Sequence, residues 1–213
     1  MSFQKKIQNI KKLSKNAKLI VVTKHQNIDT IKKIYKIGER HFGENRVQEL
    51  INKKESLPKD IKWHMIGHLQ RNKVKLIAPF IYMIQSVDSL KLLETINKYA
   101  ELNQRKIKCL IQIKISQEEL KYGFTKDQAL QLLKSNYKKK YPYVSICGIM
   151  GMATFTNKRK QIKQDFKTIQ SIYNQLKNPN QILSIGMSND YKIACQHDSN
   201  MIRIGSLIFN ENH

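Results

Sequence analysis

The stretch KLIVVTKHQNIDTIKKIYKIGERHFGEN, residues 18–45, holds one complete unit of an alternating fold. Residues 18–24 are mostly apolar and β-branched, which predicts a strand that is buried on both faces. Between Asn27 and Gly38 the apolar residues fall on one helical stripe, and Gly38 is placed to end the helix. Residues 41–45 then predict a second strand. A strand, a helix and a strand in this order predict a parallel βαβ unit.

The same alternation continues along the rest of the chain. Further strands are predicted over residues 62–68, 82–86, 106–115, 144–152, 182–187 and 201–209, with helical patterns between them. An extra helix over residues 3–13 precedes the first strand. Eight such units predict the α/β class and a single (β/α)8 TIM barrel with an extra N-terminal helix, and a doubly wound open sheet is the alternative. Because no linker or shift in composition interrupts the pattern, we expect residues 1–213 to form a single domain.

The composition narrows the compartment and the class of protein. No apolar run approaches the roughly 20 residues that a membrane-spanning helix needs, and the first residues lack the apolar core of a secretory signal. The three cysteines fit neither a disulfide framework nor a CxxC metal or redox motif. Two of them, Cys109 and Cys147, fall in apolar strands and are expected in the core. We therefore predict a cytoplasmic protein without a metal site and without membrane association.

The formal net charge of +23 raises the question of a nucleic-acid partner. Most of the 39 basic residues are lysines, and they are spread along the chain together with many Ile and Asn residues. All three residue types have A/T-rich codons, so a biased genome composition would produce this excess. Base readout favours arginine, whose planar fork binds bidentately. We predict no specific nucleic-acid binding, and a surface selected for polyanions is the alternative.

Glycines near the strand ends mark the candidate site. Glycine at such positions lets a ligand or another backbone approach closely, although it also relieves crowding in a small barrel. The active sites of barrels lie at the carboxyl ends of the strands, which makes the polar residues beyond these glycines candidates. The glycines are Gly43, Gly67, Gly151, Gly186 and Gly205, and the polar candidates are Glu44, Asn45, His68, Ser188 and Ser206.

Two features at these strand ends indicate particular chemistry. Lys24 follows an apolar strand at the mouth of the barrel, where desolvation favours a neutral amine that can form a Schiff base with a carbonyl. An ordinary solvated lysine is the alternative. Residues 185–190 and 202–206 each run from a strand end into a helix start, where backbone N–H groups, Ser188, Ser206 and Arg203 would cradle a phosphate. The alternative is a pair of helix-capping serines without a ligand.

Six motifs, in this order, resemble those of the pyridoxal 5'-phosphate homeostasis proteins. They are VVTK at 21–24, GENRVQE at 43–49, WHMIGHLQRNK at 63–73, SVDS at 86–89, GMS at 186–188 and RIGS at 203–206. The resemblance implies one barrel like the N-terminal domain of alanine racemase. It also implies a protein that binds pyridoxal 5'-phosphate (PLP) as a lysine Schiff base and buffers or delivers it, without robust catalysis.

The resemblance also implies roles for individual residues. Lys24 would be the Schiff-base lysine, and Arg203 would lie beside the cofactor, against either its phosphate or its pyridine nitrogen. The phosphate would be held by Ser188, Gly205 and Ser206, and the pocket would be lined by Asn45 and Met150. The chain departs from the family pattern where Thr23 replaces the usual Ser and where Asp198 and Asn210 replace usual glycines. The last two departures bear on the shape of the phosphate loop.

Three other functions compete with a cofactor carrier. A PLP-dependent amino-acid racemase would need a second base from another domain, and only four residues follow Phe209. A phosphate-binding isomerase barrel would use Lys24 without PLP, and a basic nucleic-acid-binding protein would use the surface charge. For the carrier, the expected partners are PLP and the apo forms of PLP enzymes, and a monomer is expected, with a dimer as the alternative.

Overall fold

Eight parallel strands close into a barrel in the computed structural model, which describes residues 1–15, 17–115, 122–176 and 181–210. Each strand pairs with the next, and β8 returns to β1 from Lys18 opposite Met201 to Val21 opposite Ile204. The closed order confirms the predicted (β/α)8 barrel over the open sheet. The strands are β1 (Lys18–Val22), β2 (His41–Glu44), β3 (Lys62–Met65), β4 (Met83–Val87), β5 (Ile107–Ile113), β6 (Val144–Gly151), β7 (Ile182–Ser184) and β8 (Met201–Ile204).

Helices alternate with these strands and cover the outside of the barrel. The extra N-terminal helix is present as α1 and precedes β1. A 3-10 turn at Arg71–Lys73 leads into the fourth helix. The helices are α1 (Phe3–Leu13), α2 (Ile28–Lys36), α3 (Val47–Ser56), α4 (Val74–Ile77), α5 (Leu90–Leu102), α6 (Lys126–Lys134), α7 (Tyr137–Lys140), α8 (Arg159–Asn174), α9 (Tyr191–Cys195) and α10 (Ser206–Phe209).

Local signals in the sequence explain where α2 begins and ends. The Asn27 side chain accepts a hydrogen bond from the Thr30 N–H at 2.8 Å, which satisfies a donor that the first turn of a helix leaves unpaired. Gly38 adopts a φ of +105° just beyond the helix, a conformation that side chains other than glycine rarely take. The capped ends hold α2 over the barrel between β1 and β2.

The eighth strand is shorter than the sequence predicts. It ends at Ile204, and residues 206–209, predicted as strand, form α10 instead. An apolar run of this length does not distinguish strand from helix by periodicity alone. Here Ile208 is buried, and the Phe209 ring packs edge-on against Phe3 of α1 at a centroid distance of 5.9 Å. Packing against α1 therefore turns the end of the strand pattern into a helix.

The core has two parts, separated by the wall of the barrel. The larger part lies between the strands and the surrounding helices, and the smaller part fills the interior of the barrel. Because side chains alternate along a strand, strands such as β1, β5 and β6 contribute apolar residues to both parts. The interior part consists of Ile20, Met83, Leu110, Met150 and Met201.

The cysteines do not all lie where the sequence places them. Cys109 is fully buried, as predicted, and burial raises the pKa of its thiol. Cys147 is only partly buried and faces the amino-terminal end of the barrel, because β6 carries a register shift between the Cys109 and Leu110 pairings. Among the described helices, none is both long enough and apolar enough to cross a membrane.

Candidate functional site

A cavity of about 750 Å³ opens at the carboxyl ends of the strands. Its volume falls within the range of about 300–1,000 Å³ that is typical of small-molecule sites. The structure brings six of the seven predicted site residues to its wall. They are Lys24, Asn45, Ser188, Arg203, Gly205 and Ser206.

Met150, the seventh predicted residue, does not line this cavity. Its side chain is fully buried in the apolar interior of the barrel, beside Ile20 and Leu110. Side chains two positions apart on a strand share a face, and Met152, two residues further along, lines the cavity instead. The prediction is therefore wrong by one layer of the barrel.

Lys24 lies in the turn that follows β1, two residues beyond the end of the strand at Val22. The turn is closed by a hydrogen bond of 3.0 Å from the Gln26 N–H to the Thr23 carbonyl. His25 takes a left-handed φ of +62° and donates its N–H to Glu49 Oε2 at 3.1 Å. The expectation of a desolvated lysine at the strand end is wrong, because Lys24 is exposed. Lys24 nevertheless lines the cavity, from a constrained turn.

A buried ion pair supports this turn from behind. The Lys53 ammonium donates to the Thr23 carbonyl at 2.8 Å, to Glu44 Oε1 at 2.7 Å and to Glu49 Oε2 at 3.2 Å. The Thr23 hydroxyl also donates to Glu44 Oε1, at 2.5 Å. Burial raises the pKa of Glu44, and the hydrogen bonds from Lys53 and Thr23 oppose that shift. Glu44, a candidate from the sequence, thus lies behind the site and does not line the cavity.

Ser188 and the start of α10 form a polar corner of the cavity. The Ser188 Oγ accepts hydrogen bonds from the N–H groups of Gly205 and Leu207, each at 3.4 Å. With its oxygen accepting twice, the hydroxyl keeps its own proton to donate. The corner depends on Gly186, where φ is +98° and a Cβ would lie 2.7 Å from the Ala194 Cβ.

Arg203 is a buried cation on the wall of the cavity, with only 4% of its surface exposed. Its guanidinium donates to the Ser184 carbonyl at 2.8 Å, to the Ser184 hydroxyl at 2.5 Å and to the Gly151 carbonyl at 2.9 Å. Burial lowers its pKa to about 10, and the charge of Asp190 partly offsets this. No carboxylate among the described residues forms an ion pair with it, so these neutral oxygens are its direct partners.

His68 lies on the opposite side of the cavity mouth from the serine corner. Its Nδ1 is 2.9 Å from Asp88 Oδ2, and its ring stacks on Tyr122 with centroids 3.8 Å apart. The carboxylate fixes the orientation of the imidazole and favours a proton on Nδ1. His68 was a candidate from the sequence, but neither Asp88 nor Tyr122 was, because both lie far from it along the chain.

Thr154 is a second polar residue of the cavity that the sequence analysis missed. Its Oγ1 is buried and has no hydrogen-bond partner among the residues that the structure describes, while its N–H donates to Asp165 Oδ2 at 2.7 Å. A buried hydroxyl without a partner is costly, and a ligand atom in the cavity could satisfy it. The signal available in the sequence was position alone, three residues beyond the Gly151 at the end of β6.

The two departures from the family pattern lie away from the cavity. Asp198 takes a φ of +61° in the turn between α9 and β8, which explains why glycine suits the position. Asn210 follows the last residue of α10. Neither residue lines the cavity, although the Asn210 N–H donates to the Ser206 carbonyl at 2.9 Å and so ends α10.

The fold and the site together define a class: a (β/α)8 barrel with a small-molecule cavity at the carboxyl ends of its strands, containing a lysine and a buried arginine. Residues 2–213 match the family model described as the alanine racemase N-terminal domain. A pyridoxal phosphate homeostasis protein of Schizosaccharomyces pombe is 36% identical over 202 residues, covering 92% of this chain and 84% of the relative. The chain therefore belongs to the alanine racemase N-terminal domain family and, by that identity, to the pyridoxal phosphate homeostasis proteins.

Solved structures agree with this assignment. PipY of Synechococcus elongatus, determined with PLP bound, superposes with a TM-score of 0.87 at 29% identity, over 98% of this chain and all of PipY. An alanine racemase of Clostridium difficile superposes with a TM-score of 0.77 at 15% identity. That racemase is covered to only 56% of its length, and the likeness is one of fold.

Proposed function

We propose that this chain binds PLP in the carboxyl-end cavity as a Schiff base on Lys24, and that it buffers or delivers the cofactor without robust catalysis. One observation carries the proposal: the fold brings the Lys24 amine, the Ser188 hydroxyl and the buried Arg203 to the wall of one cavity. The names of the relatives and the PLP-bound form of PipY support it.

The polar groups of the cavity fit a phosphorylated aldehyde. Ser188 offers a hydroxyl proton, since its oxygen already accepts from the Gly205 and Leu207 N–H groups, and Thr154 has a buried hydroxyl without a partner in the described part of the chain. Hydrogen bonds to a charged group are the stronger kind, and a phosphate accepts several of them at once. When bound, PLP supplies an aldehyde that condenses with an amine, with loss of one water, and a dianionic phosphate.

In this proposal each site residue has one task. Lys24 supplies the amine, Ser188, Gly205 and Ser206 hold the phosphate, and Asn45 lines the pocket. Arg203 lies beside the cofactor. Arginine does not give up its proton, so a guanidinium against the pyridine nitrogen would keep that nitrogen unprotonated and weaken the ring as an electron sink.

A mass spectrum of the borohydride-reduced protein tests ligand and site together. We expect purified or PLP-reconstituted protein to gain the mass of a reduced PLP adduct, carried by the peptide that contains Lys24. The Lys24→Ala variant should lose the adduct and keep its circular dichroism spectrum, because Lys24 is exposed in a turn. Lys32→Ala, which removes an exposed lysine from α2, is the matched control and should keep the adduct. An adduct of equal yield in Lys24→Ala would refute the assignment of the lysine.

The racemase alternative is favoured by one observation, the His68–Asp88 pair at the cavity mouth. An imidazole held by a carboxylate could serve as a base. The test is exchange of the α-proton of D- and L-amino acids in heavy water, followed by NMR. We expect amino acids to displace Lys24 and shift the visible absorbance without exchange. Exchange at about 1 s⁻¹ or faster, lost in Lys24→Ala, would make the protein an enzyme.

The carrier proposal extends to the setting of the protein. We propose that residues 1–213 act as one PLP-binding domain, as a monomer in the cytoplasm, with apo-PLP enzymes as recipients. Light scattering after size exclusion tests the monomer against a dimer. Mixing the loaded protein with an apo-enzyme, and following the return of that enzyme's activity, tests delivery.

A further inference from the structure

A second pocket opens at the amino-terminal end of the barrel, opposite the carboxyl-end cavity. Its volume is about 390 Å³, and its wall includes Lys18, His41, Tyr82 and Lys108. These residues come from the starts of consecutive or nearby strands, so closure of the barrel is what brings them together. No Asp or Glu of the described ranges lines this pocket.

Two lysines of the pocket wall, Lys18 and Lys108, and Lys62 beside it have no counter-charge among the described residues. The ammonium groups of Lys62 and Lys108 lie 5.5 and 4.8 Å from the centre of the Tyr82 ring, and Lys108 also donates to the Tyr82 hydroxyl at 3.2 Å. Lys18 begins the neighbouring β1. None of the ion pairs among the described residues involves any of these lysines. Like charges held together repel each other, and a bound anion would relieve that repulsion.

The lowered pKa of His41 also reflects the positive charge of these lysines. Its pKa is lowered to about 4, first by burial and then by the charges of Lys18, Lys62 and Lys108. The imidazole is therefore neutral near pH 7, and a neutral imidazole still has one N–H to donate. Which nitrogen carries that proton follows from the hydrogen bonds behind it.

A continuous hydrogen-bonded chain runs from His41 through the interior of the barrel. His41 Nδ1 is 2.9 Å from His64 Nε2, and His64 Nδ1 is 3.0 Å from the Gln85 amide nitrogen. The Gln85 amide oxygen accepts from the Ser184 hydroxyl at 2.7 Å, and that hydroxyl accepts from Arg203. The far end of the chain is thus the arginine of the carboxyl-end cavity.

The arginine sets the direction of every donor along this chain. Arg203 can only donate, so the Ser184 hydroxyl donates onward to Gln85, and the Gln85 amide donates to His64. His64 must then donate from Nε2 to His41 Nδ1. The remaining proton of His41 is placed on Nε2, the nitrogen that this chain does not use. His41 can therefore contribute a neutral N–H donor beside the lysines.

We propose that the amino-terminal pocket is a second anion site, which binds the phosphate group of a small molecule between Lys18, Lys62, Lys108 and the His41 N–H. Phosphate suits these donors because lysine binds it as a point charge and imidazole adds a hydrogen bond. The concave shape of the pocket, about 390 Å³ in volume, favours a small molecule over a polyanion lying on an open surface. This inference does not rest on the proposal that PLP binds in the other cavity.

Histidine ring NMR separates the two ends of the barrel, with inorganic phosphate as the probe. His41 reports on the amino-terminal pocket and His68 on the carboxyl-end cavity. Phosphate is titrated at pH 7.5 and constant ionic strength, with sodium chloride as the compensating salt, and the His41→Gln variant identifies the resonance. We expect a saturable shift of the His41 resonance, whether or not the His68 resonance also moves.

Two double variants of equal charge complete the test. Lys18→Gln/Lys108→Gln should raise the phosphate dissociation constant measured at His41 by about tenfold or more, since it removes two charged donors. Lys32→Gln/Lys36→Gln, on the exposed face of α2, should leave it unchanged. Lys62→Gln, a single change, keeps the comparison available if the double pocket variant does not fold.

Several results would overturn the second site. They are a His41 resonance that does not shift, a shift that sodium chloride reproduces, and equal weakening in both double variants. A shift confined to His68 would place phosphate in the carboxyl-end cavity alone, which would support the proposed function and refute this site. A missing PLP adduct combined with a saturable shift at His41 would support this second site and refute the proposed PLP binding.

Discussion

Replacing Lys53 by methionine tests whether the buried ion pair holds the turn that carries Lys24. Lys53 is 7% exposed, and its partner Glu44 is fully buried. Methionine keeps most of the length of the side chain but removes the ammonium that contacts Thr23, Glu44 and Glu49. The Glu44 carboxyl would then lie in the core with the Thr23 hydroxyl as its one remaining hydrogen-bond donor among the described residues.

The expected loss of stability follows from this burial. Removing one partner of a buried ion pair typically costs about 3–5 kcal/mol, because the other charge is left uncompensated. For a chain of this size, 1 kcal/mol corresponds to about 2–4 °C in melting temperature, so we expect Lys53→Met to lower it by about 6–20 °C. Differential scanning calorimetry and urea unfolding measure the change.

The pH dependence of this loss identifies its cause. Without Lys53, burial raises the folded-state pKa of Glu44 further above its unfolded value. A raised pKa contributes stability below the unfolded value and loses it as the pH rises through the folded value. The deficit of Lys53→Met against the parent should therefore be largest near pH 8 and shrink towards pH 5. Titration of the histidines affects both proteins and cancels in the difference.

A double variant supplies the control. In Glu44→Gln/Lys53→Met both charges are gone, so we expect it to be more stable at pH 8 than Lys53→Met alone. PLP retention should fall in Lys53→Met, because the Thr23 carbonyl beside Lys24 loses its ammonium partner. The reasoning would be refuted by a Lys53→Met protein as stable as the parent at pH 8, or by a deficit that does not change with pH.

Three further outcomes are expected. Ser188→Ala and Ser206→Ala should each weaken PLP binding by about 1.5–3 kcal/mol, as measured by equilibrium dialysis. Their effects should not add, because both residues act on one anion. Equal affinity for pyridoxal and PLP would contradict the assignment of these serines to the phosphate. Gly67→Ala should cost about 1–3 kcal/mol in urea unfolding, because its Cβ would lie 2.3 Å from the Asn45 carbonyl oxygen; an unchanged midpoint would contradict the close approach. The pKa of His41 is lowered to about 4, so the free energy of unfolding should rise from pH 4 to 6.5, by at most about 1.4 kcal/mol per pH unit for this group. His41→Gln should flatten that slope. An unchanged slope would show that other groups cause it.

The fold was predictable because its strands are buried on both faces. Continuous β-branched runs such as Leu19–Val22 separate cleanly from amphipathic stretches such as α8, so the order of elements follows from the sequence alone. The prediction that failed was the end of the eighth strand, which is decided by tertiary packing. The run at residues 206–209 is apolar in either conformation, and its contact with α1 selects the helix. No feature within the run itself records that contact.

The position of a residue at the cavity was predictable where its chemistry and its place near a strand end coincide, as for Lys24 and Ser188. It was not predictable where a residue acts through space. Lys53 supports the Lys24 turn through a hydrogen bond to Thr23, which lies 30 positions earlier in the chain. Asp88 orients His68, which lies 20 positions earlier. Met150 failed for a different reason: the sequence gives the face of β6 but not the depth at which the cavity begins.

The interior of the barrel shows how one buried cation determines residues on several strands. Arg203 needs acceptors, which the carbonyls of Gly151 and Ser184 and the Ser184 hydroxyl provide. That hydroxyl then needs an acceptor for its own proton, and a buried polar group without a partner costs about 1–3 kcal/mol. Each amide or imidazole added to satisfy the previous group brings a new donor or acceptor that also needs a partner. The series of partners ends at His41, where the amino-terminal pocket begins, so the polar chain spans the interior of the barrel.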